Sequence, residues 1–203
     1  MDPASAADRR LRRLGVALEA ATLAWNVAGV VVLAVLAVAA RSVALVGFGL
    51  DSLIEIGASV VVLWELAGVA GERERRALRL IGVAFVTVST YLAAQCAYDL
   101  ATRGHARHSP GGIAWTAATA VVMLALAAGK TRVGRALGRE ALVREGRVTR
   151  VDAALAVAIL VGLSLNALAG WWWADPVSAL VVVAYGLREA RELRASLRAG
   201  APT

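Results

Sequence analysis

The sequence predicts an all-α integral membrane bundle of six transmembrane helices with both termini in the cytoplasm. Three observations predict it. Apolar residues make up 59% of the 203-residue chain. They fall into about six blocks, each near the roughly 20 residues that a helix needs to cross a bilayer core about 30 Å thick. Basic residues, in contrast, concentrate in every second connection between the blocks.

In chain order, the blocks cover residues 14–40, 42–66, 77–99, 112–129, 149–171 and 173–190. The first is too long for a signal peptide and carries Glu19 and Asn26, so we interpret it as a retained span. The second and fifth contain carboxylates. The third holds the lone Cys96, which excludes a disulfide framework. The fourth is uncharged, and the sixth follows three tryptophans that suit a membrane interface.

Charge distribution sets the orientation. Lys and Arg number 22 against 15 Asp and Glu, for a formal charge of +7. The basic segments are RRLRR, GERERRALR, KTRVGRALGREALVREGRVTR and REARELRASLR. Because they alternate with weakly basic connections, the positive-inside rule places them in the cytoplasm and argues against nucleic acid as a partner. We therefore expect a basic cytoplasmic N-terminus (1–13), one six-helix transporter domain (14–198) and a short tail (199–203), multi-pass in the inner (plasma) membrane.

Two carboxylates interrupt the second block. Asp51 and Glu55 are four residues apart, and Gly47 and Ser59 continue the same spacing. On a helix this spacing places them on one face, with the carboxylates about 6 Å apart along the axis. A charge inside the bilayer costs roughly 2.5–3.5 kcal/mol or more, so it needs a partner or a function. A divalent cation or a proton would relieve the repulsion of the pair.

The alternative is that these carboxylates bind Arg side chains or backbone donors of neighbouring spans. No Lys or Arg lies near the centre of a predicted span, so we expect this alternative to lack a partner. Two further polar faces occur at helical spacing. They are Glu19, Thr22 and Asn26 in the first block, and Glu145, Thr149 and Asp152 at the start of the fifth.

The segment SVALVGFGLDSLIEIGASVVVLW resembles the second span of the cation diffusion facilitator family, whose signature there is Asp-x-x-x-Asp. The segment REGRVTRVDAALAVAILVGLSLNALAGWWWADPVSALVVV resembles that family's fifth and sixth spans. The resemblance implies a six-helix, usually dimeric transporter that exchanges cytoplasmic divalent metal for protons. The family's cytoplasmic C-terminal domain and a His-rich loop have no counterpart here, so dimerisation would rest on the membrane part.

The resemblance also implies a ligand set. Asp51 and Glu55 match the two acidic ligands of the second span, and Asp152 matches the last ligand of the fifth. Val148 stands where the family usually has His or Asp, and it cannot bind a metal. The candidates for the missing ligand are Glu145 first, then Thr149 and Asn26.

The expected cargo follows from the donor atoms. Carboxylate oxygens suit Mn²⁺ or Fe²⁺, whereas the resemblance favours Zn²⁺. We rank zinc first and keep Mn²⁺, Fe²⁺, Co²⁺ and Cd²⁺ as possible cargo. Metal and protons compete for the same oxygens, which couples their fluxes. The expected partners are therefore the lipid bilayer, divalent metal ions, protons and a second copy of the chain, with no prosthetic group and no enzymatic activity.

Two other functions fit parts of the sequence. Gly47-Phe48-Gly49-Leu50-Asp51 is similar to the Gly-x-Gly-Asp element of intramembrane aspartyl proteases, but the extra Leu50 turns Asp51 by roughly 100° around the helix. A non-transporting membrane scaffold or metal-binding protein would keep the site without flux. A transport assay and a cleavage assay distinguish the three. The tripeptide GKT at 129–131 does not indicate a P-loop, because Leu124 occupies the position of its first glycine.

Overall fold

The chain forms six helices and no strand in the residues that the computed structural model describes, 3–66 and 72–199. The helices are α1 (Pro3–Ala40), α2 (Val43–Leu66), α3 (Glu72–Thr102), α4 (Pro110–Ala136), α5 (Glu140–Ala169) and α6 (Ala174–Ala199). The all-α prediction is confirmed. The basic N-terminal segment is continuous with the first span in α1. Residues 200–203 of the predicted tail lie outside the described residues, as does part of the second basic connection.

Four helices are long and apolar enough to cross a membrane, namely α1, α3, α4 and α5. In α6, Asp175 lies near the start, and Arg188 and Glu189 limit the uncharged stretch to residues 176–187. The side chains of α2 are described only as far as Gly57. These four helices identify a membrane protein, whereas six spans and cytoplasmic termini stay predictions.

The outer face of α1 has the chemistry expected of a lipid contact. Large apolar side chains are exposed along it at Val27, Val31, Val35 and Val38. In water such a stripe would be costly, but acyl chains solvate it without penalty. This face of α1 is consistent with a helix that crosses the bilayer.

Helix α2 lies among four others. It packs against α1, α3, α5 and α6, while α4 packs against α1 and α5, and α3 pairs with α6. The main apolar core is built from small and branched side chains of these helices, including Leu33, Leu45, Leu92 and Ile159. A polar side chain on the inner face of α2 therefore meets protein and not lipid.

The start of α2 is fixed by α6. Asp175, in the first turn of α6, accepts a hydrogen bond from the Ser42 hydroxyl at 2.5 Å and another from the Ala44 backbone N–H at 3.3 Å. Ser42 in turn accepts one from the Leu45 N–H at 3.1 Å. These groups satisfy N–H donors that the first turn of a helix leaves free. The register of α2 relative to α6 is thereby set at one end.

Glycine permits close approach where α5 meets its neighbours. A Cβ on Gly162 would clash with the Ser178 side chain of α6. A Cβ on Gly146 would clash with the Thr131 hydroxyl of α4. Helix α5 is therefore held tightly between α4 and α6, which positions its polar face toward α2.

Candidate metal centre

Three of the predicted carboxylates come together between α2 and α5. Asp51 and Asp152 are buried, with 4% and 5% of their surface exposed, and Glu55 is partly buried. The Asp152 carboxyl lies within hydrogen-bonding reach of Glu55, and Asp51 interacts electrostatically with Asp152. The four-residue spacing on α2 and the position of Asp152 on α5 thus bring carboxylates from two helices together. We call Asp51, Glu55 and Asp152 the carboxylate cluster.

Asn26 of α1 joins this cluster from a third helix. Its side-chain amide donates a hydrogen bond to Glu55 Oε2 at 3.2 Å, and Asn26 is itself buried. This contact fixes the orientation of Glu55. The structure therefore places Asn26 beside a predicted ligand, in a position to hold it.

Two oxygens of the cluster lack hydrogen-bond donors. Glu55 Oε1 and Asp152 Oδ1 are both buried with no hydrogen-bond partner among the described residues. Carboxylate oxygens accept hydrogen bonds and cannot donate them, so two carboxyl groups in contact require a shared proton or a cation between them. Such an arrangement is suited to holding a positive species.

The cluster groups carboxylates without forming a ready metal site. Over residues 3–66 and 72–199, no three Asp, Glu, His or Cys side chains are arranged as a preformed metal site. The donor chemistry fits a divalent cation, but the Glu55–Asp152 contact has to open before three carboxylates could coordinate one.

A buried lysine, Lys130, lies near the cluster and was not predicted from the sequence. Helix α4 continues to Ala136, so Lys130 belongs to the helix and not to a basic loop. It is 1% exposed and forms an ion pair with Glu19 Oε2 of α1 at 2.9 Å. The sequence analysis assigned Lys130 to the basic connection after the fourth block, whereas the structure places it inside the bundle, near the end of α4. Its charge is paired with that of Glu19, which lies 111 residues earlier in the chain.

Thr149 and Glu145 belong to the surroundings of this lysine. The Thr149 hydroxyl accepts a hydrogen bond from Lys130 at 3.2 Å and donates one to the Glu145 carbonyl oxygen at 3.0 Å. The Glu145 carboxyl interacts electrostatically with Glu19, Lys130 and Asp152. Glu145 is seven residues before Asp152, about 10 Å along the helix axis. The structure thus groups both residues with Lys130, and their role as metal ligands stays a prediction.

Two residues of α6 near the cluster were missed by the sequence analysis. Tyr185 interacts electrostatically with Glu55, and Glu189 with Asp51. Their four-residue spacing puts them on one face of α6. That spacing was readable in the sequence, but Glu189 stands among alternating charges that resemble a solvated helix end. Ser59, predicted to continue the polar face of α2, lies outside the described side chains.

The described aromatic and histidine side chains named below lie outside the carboxylate cluster. Trp25 of α1 stacks on Trp115 of α4 with 5.0 Å between ring centroids, and its N–H donates to the Thr119 hydroxyl at 3.1 Å. At the opposite end, the His105 ring lies 5.8 Å from that of Trp172. His108 is exposed.

No known family model matches the chain. The likeness of its second, fifth and sixth spans to the cation diffusion facilitator family therefore stays a prediction.

Proposed function

We propose that the protein is a divalent metal cation/proton antiporter that exports a transition metal from the cytoplasm by alternating access. The observation that carries this proposal is the carboxylate cluster, in which α2 and α5 bring Glu55 and Asp152 into contact beside Asp51. A membrane protein has little structural use for three buried carboxylates, since each is costly away from water.

The same oxygens serve both ions. A carboxylate has to release its proton before it can bind a metal, so a metal that binds Glu55 and Asp152 displaces any proton they hold. Protons arriving from the other side reverse the exchange. This competition couples the two fluxes without any further residue.

The proposal includes a topology and a cargo. Six spans with both termini in the cytoplasm, in the inner (plasma) membrane, agree with the basic connections and the six helices. A homodimer and membership in the cation diffusion facilitator family follow from the resemblance. Zinc ranks first among the metals, and the all-oxygen donor set keeps Mn²⁺, Fe²⁺, Co²⁺ and Cd²⁺ as candidates.

The test is metal flux in proteoliposomes that enclose a pH-sensitive dye. We expect metal uptake with proton movement in the opposite direction. Asp51→Asn should abolish flux, because it removes a charge of the cluster at nearly constant shape. Asp99→Asn is the matched control, since Asp99 lies outside the cluster and accepts a hydrogen bond from Gln95 of its own helix.

The outcomes separate the alternatives. Parental flux in Asp51→Asn would refute the site, because the proposal requires that carboxylate. Asp51-dependent metal binding without flux would support the non-transporting scaffold or metal-binding protein. Flux lost equally in Asp51→Asn and Asp99→Asn would indicate a general defect in folding.

A further inference from the structure

The polar side chains of the bundle form two levels. Glu19 lies seven residues before Asn26 on α1, and Glu145 lies seven residues before Asp152 on α5. Seven residues of helix correspond to about 10 Å. The level that contains Glu19 and Glu145, which we call the lysine level because Glu19 binds Lys130, therefore lies about 10 Å from the carboxylate cluster, on the side of the arginine-rich helix ends. The Lys130 ammonium reaches from this level toward the cluster, since it also contacts Thr149, about 4.5 Å before Asp152 along α5.

Charges face Lys130 from two neighbouring helices. Glu19 of α1 binds its ammonium directly and is 42% exposed, and on α5 the carboxyls of Glu145 and Asp152 both interact with it electrostatically. Thr149 holds it by a hydrogen bond. The ammonium is thus a fixed positive charge shared between an outer partner, Glu19, and the cluster residue Asp152.

A fixed positive charge near a cation site weakens cation binding. For a unit charge and a divalent ion about 10 Å apart, with an effective dielectric constant of about 20, the effect on the binding constant is roughly a few hundredfold before any compensation. Glu19 offsets part of it, because its carboxylate binds the ammonium, but the ammonium also contacts Thr149 and so lies nearer to Asp152 than the Glu19 level does.

We propose that Lys130 is a built-in counter-cation that lowers the cation affinity of the carboxylate cluster, and that Glu19 limits this effect by drawing the ammonium toward the lysine level. This role rests on the proposed function and adds to it. A transporter has to release its cargo, and a nearby ammonium prevents three carboxylates from holding a divalent ion too tightly. Lys130 is a positioning and affinity-setting residue and does not contact the cargo.

Two substitutions break the same ion pair with opposite electrostatic consequences. Lys130→Met removes the positive charge and should strengthen Zn²⁺ and Mn²⁺ binding to the purified full-length chain at least tenfold. Glu19→Gln leaves the ammonium without its counter-charge and should weaken binding severalfold. Lys130→Arg keeps the charge and should stay near the parental affinity. Equilibrium dialysis at fixed pH and salt measures all three.

A purely structural role gives a different pattern. If the ion pair only joins α1 to α4, both Lys130→Met and Glu19→Gln loosen the bundle and should shift affinity in the same direction. That result, or an affinity of Lys130→Met within twofold of the parent, overturns the inference. If Lys130→Met does not fold, Glu19→Gln still decides, because unchanged or tighter binding contradicts the proposal.

Failure of the proposed function is recognised separately. Metal binding by the parental protein that Asp51→Asn does not reduce would remove the carboxylate cluster as a cation site, and the role of Lys130 with it. Binding that Asp51→Asn abolishes, but that Lys130→Met and Glu19→Gln shift in the same direction, leaves the site intact and removes only the role of Lys130.

Discussion

The anchor between α6 and the start of α2 gives a prediction that can be worked out from the hydrogen bonds alone. The Asp175 carboxylate accepts from the Ser42 hydroxyl and the Ala44 N–H, and all three residues are buried. Asp175→Asn keeps the volume but replaces one acceptor by an NH₂ group that faces a donor. Side-chain hydrogen bonds inside membrane proteins contribute on average about 0.6 and at most about 1.7 kcal/mol each. Loss of one bond and crowding of the other should lower the free energy of unfolding by about 1–3 kcal/mol.

A double-mutant cycle isolates the contact. Ser42→Ala removes the hydroxyl that donates to Asp175 and accepts from the Leu45 N–H. Combined with Asp175→Asn it should show a coupling energy of about 1 kcal/mol. Unfolding in mixed micelles with increasing SDS, followed by circular dichroism, supplies the four free energies. Glu192→Gln is the control, because Glu192 is exposed and pairs with Arg188 of its own helix, and it should change stability by less than about 0.5 kcal/mol. A coupling energy of zero, or parental stability of Asp175→Asn, would refute this account of the anchor.

Further predictions concern packing and the site. Gly162→Ala should lower stability in the same unfolding assay by about 1–3 kcal/mol, because the new methyl group meets Ser178, whereas Gly57→Ala, which has open space, should not lower it. Equal losses for both would contradict the close α5–α6 contact. Asn26→Leu removes the donor to Glu55 and should weaken Zn²⁺ binding in dialysis about tenfold; unchanged affinity would show that Asn26 does not hold Glu55. His105→Ala and His108→Ala should each leave proteoliposome flux within twofold of the parent, since neither belongs to the cluster. Loss of flux in either would place a metal-binding step in that loop.

The helical composition of the fold and the polar face of α2 could be predicted from the sequence, for a physical reason. Helical spacing determines which residues share a face, so the four-residue spacing of Asp51 and Glu55 was sufficient to put both on one side of α2. Long apolar blocks likewise identify helices without knowledge of packing. Local patterns of this kind require no tertiary information.

The burial of Lys130, in contrast, could not be predicted from local sequence patterns. This lysine follows an apolar block and precedes a basic connection, so its local sequence is typical of a helix end at the membrane surface. Its burial depends on Glu19 and Thr149, which come from other helices. Similarly, the contact of Glu55 with Asp152 depends on how α2 and α5 are rotated, which the Gly162 contact and the Asp175 anchor help to set. The spacing of residues along a single helix does not determine how either helix is rotated against its neighbours.

The stacked indoles of Trp25 and Trp115 give the molecule an internal optical probe. Trp25 directly precedes Asn26, the residue that holds Glu55, and its stacking partner belongs to α4, the helix that carries Lys130. Electronic interaction between two stacked rings depends steeply on their separation, so a small shift of α1 against α4 alters the ultraviolet absorption and emission of the pair. A movement of α1 against α4 can therefore be followed in real time in unlabelled protein, with Trp115→Phe as the reference that lacks the stacked pair.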